Sequence, residues 1–120
     1  MESILNSIKK VLGLDESYTA FDLDVIIHTN DAFSTLNQLG VGPVEGFSIS
    51  DDTQEWESFV VPDNQLHMVK TYIWLKVRFL FDPPTTSFAI DAMSQQIKEH
   101  EWRLNAFRED ALPDPEEVSP

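Results

Sequence analysis

The sequence contains no cysteine and few basic residues. The absence of cysteine excludes disulfide bonds, thiol catalysis and cysteine metal sites. Only 8 Lys and Arg residues stand against 21 Asp and Glu residues, so the formal net charge at pH 7 is -13. Proteins that bind nucleic acid by neutralising phosphates need clustered Lys and Arg, and this class of function is therefore disfavoured.

The sequence also lacks a secretion signal and any long uncharged apolar run. Glu2 precedes the first apolar stretch, and that stretch is amphipathic. No apolar stretch reaches the roughly 20 residues that a membrane-spanning helix needs. We therefore expect a protein that is made and used inside a cell and has no membrane partner.

No set of residues has the spacing of a known catalytic site. The sequence has no G-x-S-x-G motif, and its three histidines share no pattern. Gly40, Gly42 and Gly46 approximate a dinucleotide-binding loop, but their spacing is one residue too long and they follow a predicted helix instead of a strand. We predict that the protein is not an enzyme and binds no cofactor.

One group of residues could form a metal site. Asp24, His28 and Asp31 are spaced i, i+4 and i+7, so they share one side of a helix and could bind a divalent cation. That site would suit a small metal-dependent hydrolase, the weakest of the functions considered. Thr35 and Gln38 continue the same strip, which is typical of a solvated helix face, and we prefer this interpretation and predict no metal site.

Hydrophobic periodicity predicts a short amphipathic helix near the N-terminus, formed by Ile4, Leu5, Ile8, Val11 and Leu12. A helix of this length is marginal alone in water. Its apolar stripe should therefore pack on the same domain or on a sister subunit.

Three longer helices follow, over residues 21–39, 63–82 and 86–110. Thr19 and Asp22 have the spacing of a capping box for the first of them, and Asp63 is a plausible N-cap of the next. Leu23 and Ile27 fall outside the apolar stripe of the helix over residues 21–39, which suggests a second, smaller contact.

The helix over residues 63–82 is apolar on every side. At about 100° per residue, its large apolar side chains spread around the whole circumference. Such a helix must be covered on all sides. A chain of 120 residues can supply only part of that cover, so we expect other copies or another protein to supply the rest.

Between the second and third helices the helical period ends. Gly42, Pro43 and Gly46 are turn residues, and residues 47–49 alternate like a short strand, so we predict a projecting loop or short β-hairpin over residues 41–62. Residues 111–120 are acidic and proline-rich, which predicts a flexible tail. The predicted fold is mainly α: a small bundle of three to four helices in a single domain, residues 1–110, followed by the tail.

Several apolar side chains exceed what a small core needs and are candidates for assembly contacts. Trp102, for example, lies nearly opposite the apolar stripe of the last helix. Aromatic side chains are enriched at interface centres. The candidate interface residues are Ile4, Leu5, Ile8, Val11, Leu12, Phe47, Trp56, Phe59, Trp102, Leu112, Pro113 and Pro115. On this interpretation the double change Trp56→Ala and Phe59→Ala leaves the monomer helical and weakens assembly.

Four segments of the chain resemble a known family. They are residues 36–42 (LNQLGVG), 69–72 (VKTY), 77–85 (VRFLFDPPT) and 101–104 (EWRL). They are similar to the small head-tail connector (adaptor) proteins of tailed bacteriophages and prophages. The likeness extends over roughly residues 3–110 and is strongest in the run that ends in FDPPT.

The resemblance implies a structural, non-enzymatic subunit in the virion neck, synthesised in the bacterial host cytoplasm. Members of the family form a homo-oligomeric ring, typically of about twelve copies, below the portal protein, where they extend the DNA channel and dock the stopper or tail. By this analogy the tail contacts the portal, and residues 41–61 meet a neighbouring subunit or the next neck component. Acidic side chains facing the bore would let genomic DNA pass without specific binding.

The net charge also fits an alternative function. An acidic DNA mimic or inhibitor uses carboxylates in place of phosphates to occupy the nucleic-acid groove of a host protein. In this chain the acidic residues are scattered through the predicted helices and tail instead of forming dense rows. The connector function is therefore the prediction that we prefer.

Overall fold

Four α-helices make up most of the structure, a computed structural model that describes residues 2–59 and 61–111, with side chains as far as residue 106. They are α1 (Ile4–Val11), α2 (Asp22–Gln38), α3 (Asp63–Phe81) and α4 (Ser87–Ala111). A 3-10 turn, Trp56–Ser58, lies between α2 and α3. The prediction of a small, mainly α bundle is confirmed. The predicted tail beyond residue 111 lies outside the described residues.

α3 is the centre of the bundle. It packs extensively against both α2 and α4, whereas α2 and α4 make little contact with each other, and α1 packs on α2 and α3. Val69, Tyr72, Ile73 and Val77 recur at helical spacing and are fully buried on one side of α3. The other large apolar residues of α3 are half-buried, apart from Leu80, which is more exposed. The chain thus covers one side of α3 completely and its other sides in part.

The predicted capping box at α2 is wrong. Phe21 occupies the N-cap position and its side chain makes no capping hydrogen bond. The carboxylate of Asp22 instead lies 2.8 Å from Lys9 Nζ, whose side chain is buried between α1 and α2. A buried ammonium group needs a nearby negative charge, and this requirement outweighs a local cap. At α3, Pro62 and not Asp63 is the N-cap residue.

The loop between α2 and α3 packs back on the bundle, and its described residues, 39–59 and 61–62, form no hairpin. Val41, Ile49, Trp56 and Phe59 are buried in the core. The predicted strand at residues 47–49 is absent, because the side chain of Asn30 supplies the hydrogen bonds that a partner strand would make. Asn30 Nδ2 donates to the Ile49 carbonyl oxygen over 2.9 Å, and the Ile49 N–H donates to Asn30 Oδ1 over 2.7 Å.

Gly42 allows this loop to approach the core closely. Its φ of 89° lies in the left-handed region, and a Cβ at this position would collide with the Phe59 ring. The sequence signal that predicted a turn here therefore also marks the point where the loop backbone meets a buried aromatic ring.

Candidate assembly surfaces

The structure divides the candidate interface residues into four groups. Ile4, Leu5, Ile8, Trp56 and Phe59 are buried within the chain, and Leu12 and Phe47 are half-buried. Val11 and Trp102 are exposed. Leu112, Pro113 and Pro115 lie outside the described residues. The interface assignment remains a prediction, and it is best supported where a side chain is still available to a partner.

Helix α1 is held in place by the loop between α2 and α3. Trp56 is only 1% exposed, and its Nε1 donates a hydrogen bond of 2.9 Å to Ser7 Oγ. The Ser7 hydroxyl in turn donates to the Ile4 carbonyl oxygen over 2.9 Å. The Trp56 N–H donates to the Glu2 carbonyl oxygen, and Lys70 Nζ lies 5.4 Å from the Trp56 ring centroid. Trp56 therefore joins α1, the loop and α3 within a single chain.

Phe59 also contributes to the core of its own chain. Its ring centroid lies 5.0 Å from that of Phe33 on α2 and 5.4 Å from that of Phe47 in the loop. The Phe33 and Phe47 centroids are 4.9 Å apart, so the three rings form one edge-to-face cluster. This cluster covers the C-terminal half of α2.

A buried ion pair joins α1 to the start of α2. Lys9 is 1% exposed, and its Nζ lies 2.8 Å from Asp22 Oδ1 and donates to the Glu16 carbonyl oxygen over 3.0 Å. These contacts hold the turn between the two helices against the bundle. The ion pair fixes α1 within the chain, because releasing α1 would separate the two charges.

A buried tyrosine joins α3 to α4. The Tyr72 hydroxyl on α3 donates to Glu101 Oε2 on α4 over 2.7 Å. Burial raises the pKa of Tyr72 above its ordinary value, and the hydrogen bond and negative charge of Glu101 add to the rise. This contact fixes α4, and thus Trp102, relative to α3.

Exposed apolar residues lie on the outward face of α2 near its N-terminus and in the loop turn beside its C-terminus. Leu23 is 69% exposed and Ile27 is 54% exposed, on the side opposite the buried residues of α2. At the other end Asn37 Nδ2 donates to the carbonyl oxygens of Pro43 and Val44, which holds the loop turn beside the helix. Val44 at that turn is 96% exposed. We name Leu23, Ile27 and Val44 the α2 surface.

The outward face of α4 also carries two large exposed residues. Phe88 is 84% exposed and Trp102 is 72% exposed. Both lie opposite Ile97 and Leu104, which are buried against the bundle. We name Phe88 and Trp102 the α4 surface. The exposure of Trp102 follows from the sequence pattern, and the same angular argument would have identified Phe88, which sequence reasoning missed.

The two surfaces lie on different flanks of the molecule and differ in charge. α3 lies between α2 and α4, so their outward faces point away from each other. α2 contains three aspartates and no Lys or Arg. Beside Trp102 on α4, Lys98 is exposed and makes no ion pair within the described residues. The α2 surface is therefore acidic, and the α4 surface has an available cation.

The possible metal ligands do not form a site. Asp24, His28 and Asp31 lie along α2, but among the residues that the structure describes no three His, Asp or Glu side chains lie close enough to hold a metal ion. None of the described helices combines the length and the apolar character needed to cross a membrane.

Comparison with known proteins identifies the family. A family model described as "Phage connector protein" matches residues 4–111, which is nearly the whole described chain. The chain therefore belongs to the family of phage connector proteins, as the resemblance predicted. No curated protein and no solved structure matches it significantly.

Proposed function

We propose that this phage connector protein is the head-tail connector (adaptor) subunit of a tailed phage. In this role its copies form a ring of about twelve below the portal protein, extend the DNA channel and dock the stopper or tail. The family match supports the class of protein. The observation that carries the ring is the presence of exposed apolar residues on two helices that flank α3.

A ring requires two different contact surfaces on every subunit. In a head-to-tail arrangement one surface of a copy binds the other surface of the next copy, and the ring closes if the rotation between copies divides a full turn. A symmetric dimer would require only one self-complementary surface. The α2 surface and the α4 surface supply the two different surfaces that a ring needs.

The neighbouring neck components would bind parts of the chain that the ring leaves free. We propose that the tail, residues 111–120, contacts the portal protein and that the loop over residues 41–61 meets a neighbouring subunit or the stopper. Val44 in that loop is almost fully exposed and, as part of the α2 surface, is available to the neighbouring subunit. Genomic DNA would pass through the bore without specific binding, because a chain of net charge -13 repels phosphates.

The proposed location is the virion neck, with synthesis in the cytoplasm of the bacterial host. Purified virions imaged at side-chain resolution should show density for this chain as a ring directly below the portal. Immobilised portal rings should also capture the purified chain from solution.

Two outcomes would contradict the proposal. One is a virion neck that contains no copy of the chain. The other is capture of the chain by a host nuclease or polymerase, but not by portal rings, which would favour the acidic DNA mimic instead.

A further inference from the structure

We infer that the α2 surface of one copy packs antiparallel against the α4 surface of the next copy. Trp102 then lies over Leu23 and Ile27, and Phe88 lies beside Val44. The inference rests on the proposed ring and adds to it the identity and orientation of the contact between subunits.

The two surfaces match in spacing. Phe88 and Trp102 are 14 residues apart on α4, so they lie about 21 Å apart along the helix and within about 40° of the same face. Leu23 and Asn37 are also 14 residues apart on α2, and Asn37 holds the turn that carries Val44. α4 therefore presents its two apolar residues about 21 Å apart, and Leu23 and the loop turn that carries Val44 span a similar length beside α2.

Charge favours the antiparallel orientation. With Trp102 over Leu23 and Ile27, Lys98 lies one turn further along the contact and comes beside Asp31. A parallel contact would pair Phe88 with Leu23 and bring Asp91 between Asp24 and Asp31. Since like charges in close contact are repulsive, the parallel contact is disfavoured.

A second copy of the chain is the partner that can cover both surfaces. Single exposed leucines are ordinary on a protein surface, but a tryptophan and a phenylalanine on one helix face are typical of interface anchors. Lys98, beside Trp102, complements the aspartates of α2, whereas α2 packed against a second α2 would bring only acidic charges together. Asp91, which lies near Phe88 on the same side of α4, faces the other end of the contact in the antiparallel orientation.

Thiol crosslinking in assembled particles tests this contact, because the natural sequence has no cysteine to interfere. In phage carrying Ile27→Cys and Trp102→Cys, a thiol crosslinker with a reach of about 8–10 Å, the distance between packed helices, should join copies into a ladder of oligomers. The matched control is Ile27→Cys with Gln96→Cys, since Gln96 is exposed on α4 but lies about 120° around the helix from Trp102. We expect no ladder from this control or from either single cysteine.

Charge exchange tests the orientation in the same particles. Lys98→Glu should lower the yield of the Ile27–Trp102 crosslink roughly two- to five-fold, and adding Asp31→Lys should restore it. Lys10→Glu, which removes an exposed cation from α1, should leave the yield unchanged.

The outcomes separate the inference from the proposed function. If necks contain the chain but the Ile27 and Trp102 cysteines give no ladder, or the Gln96 control gives an equal one, the inferred contact is wrong and the connector role stands. If Asp31→Lys fails to restore the yield, Lys98 and Asp31 do not pair across the contact, and the charge argument for it is wrong. If wild-type necks lack the chain, the proposed function itself fails.

Discussion

At the scale of single residues, Tyr72 connects protonation to the stability of the bundle. Its hydroxyl is a buried donor to Glu101, and ionisation would place a second negative charge beside that carboxylate. The folded state therefore holds the proton at pH values where the unfolded chain releases it. Tyr72 therefore contributes to the free energy of unfolding. This contribution is fully present below the ordinary tyrosine pKa of 10.0, and it falls by about 1.4 kcal/mol per pH unit as the pH rises above that value.

Titration of Tyr72 can be measured directly, since the chain has two tyrosines, Tyr18 and Tyr72. In a Tyr18→Phe variant, tyrosinate absorbance should appear only together with loss of the helical circular dichroism signal, well above pH 10. The Tyr72→Phe variant is the control and should lose stability less steeply in the same pH range. A tyrosinate titration centred near pH 10 in a chain that stays helical would refute the buried hydrogen bond.

The ion pair between Lys9 and Asp22 predicts an asymmetry between two substitutions. Lys9 is 1% exposed, whereas Asp22 is 28% exposed. Asp22→Asn leaves the buried Lys9 ammonium with the Glu16 carbonyl oxygen but no counter-ion and should cost about 3 kcal/mol, whereas Lys9→Met leaves a partly exposed carboxylate and should cost less. Urea unfolding at neutral pH gives both free energies. Equal costs, or a larger cost for Lys9→Met, would contradict this account of the pair.

At the scale of elements, the loop between α2 and α3 belongs to the core and not to the periphery. Its burial changes the expected result of the double change Trp56→Ala and Phe59→Ala. Each substitution removes a large buried ring and should cost about 3–5 kcal/mol, so the double variant should lose helical structure instead of only weakening assembly. Thermal unfolding followed by circular dichroism measures this loss.

The matched control for that double variant is Phe88→Ala. Phe88 is a phenylalanine of similar size but lies on the exposed face of α4, so its removal should change the free energy of unfolding by no more than about 0.5 kcal/mol. If the Trp56 and Phe59 double variant unfolds at the same temperature as Phe88→Ala, the loop residues do not stabilise the single chain.

The sequence predicted the helices well because their signals are local. α2, α3 and α4 lie within about two residues of the predicted ranges, since Gly40 and Pro83–Pro84 interrupt the helical period at points that can be read directly. The loop was not predictable in the same way. Its path depends on Asn30 pairing with Ile49 and on Trp56 meeting Ser7, and these partners are 19 and 49 residues apart.

The surfaces were partly predictable for the same reason. Trp102 lies opposite an apolar stripe that is visible in the sequence, and Leu23 and Ile27 fall outside the stripe of α2. Val44 could not be placed on the α2 side from local pattern, because that placement depends on Asn37 binding the turn at Pro43 and Val44. The helical periodicity of apolar residues therefore identifies which side chains face outward. Hydrogen bonds between distant parts of the chain determine which of these side chains share a surface.

At the scale of the whole molecule, the central position of α3 explains how a small chain can both fold and assemble. One side of α3 supplies the core residues, and the helices packed on it present their outward faces on different flanks. The internal contacts of Lys9, Trp56 and Tyr72 fix these helices without using the outward faces. If the outward faces form the proposed contacts between copies, folding and assembly depend on separate sets of residues, and variants of one set should leave the other intact.

Net charge opposes assembly and should make it salt-dependent. Each copy carries a formal charge of -13, so neighbouring copies repel one another over a screening length that falls from about 30 Å at 0.01 M salt to about 8 Å at 0.15 M salt. Raising the salt concentration over this range should therefore increase crosslinking between copies, measured with Ile27→Cys and Trp102→Cys.

A variant with Asp52→Asn and Glu57→Gln, both exposed and away from α2 and α4, should assemble better than its parent at low salt and equally at high salt. Crosslinking that falls steadily as salt rises would show instead that ion pairs such as Lys98 with Asp31 dominate the contact, because attraction between opposite charges is what salt weakens.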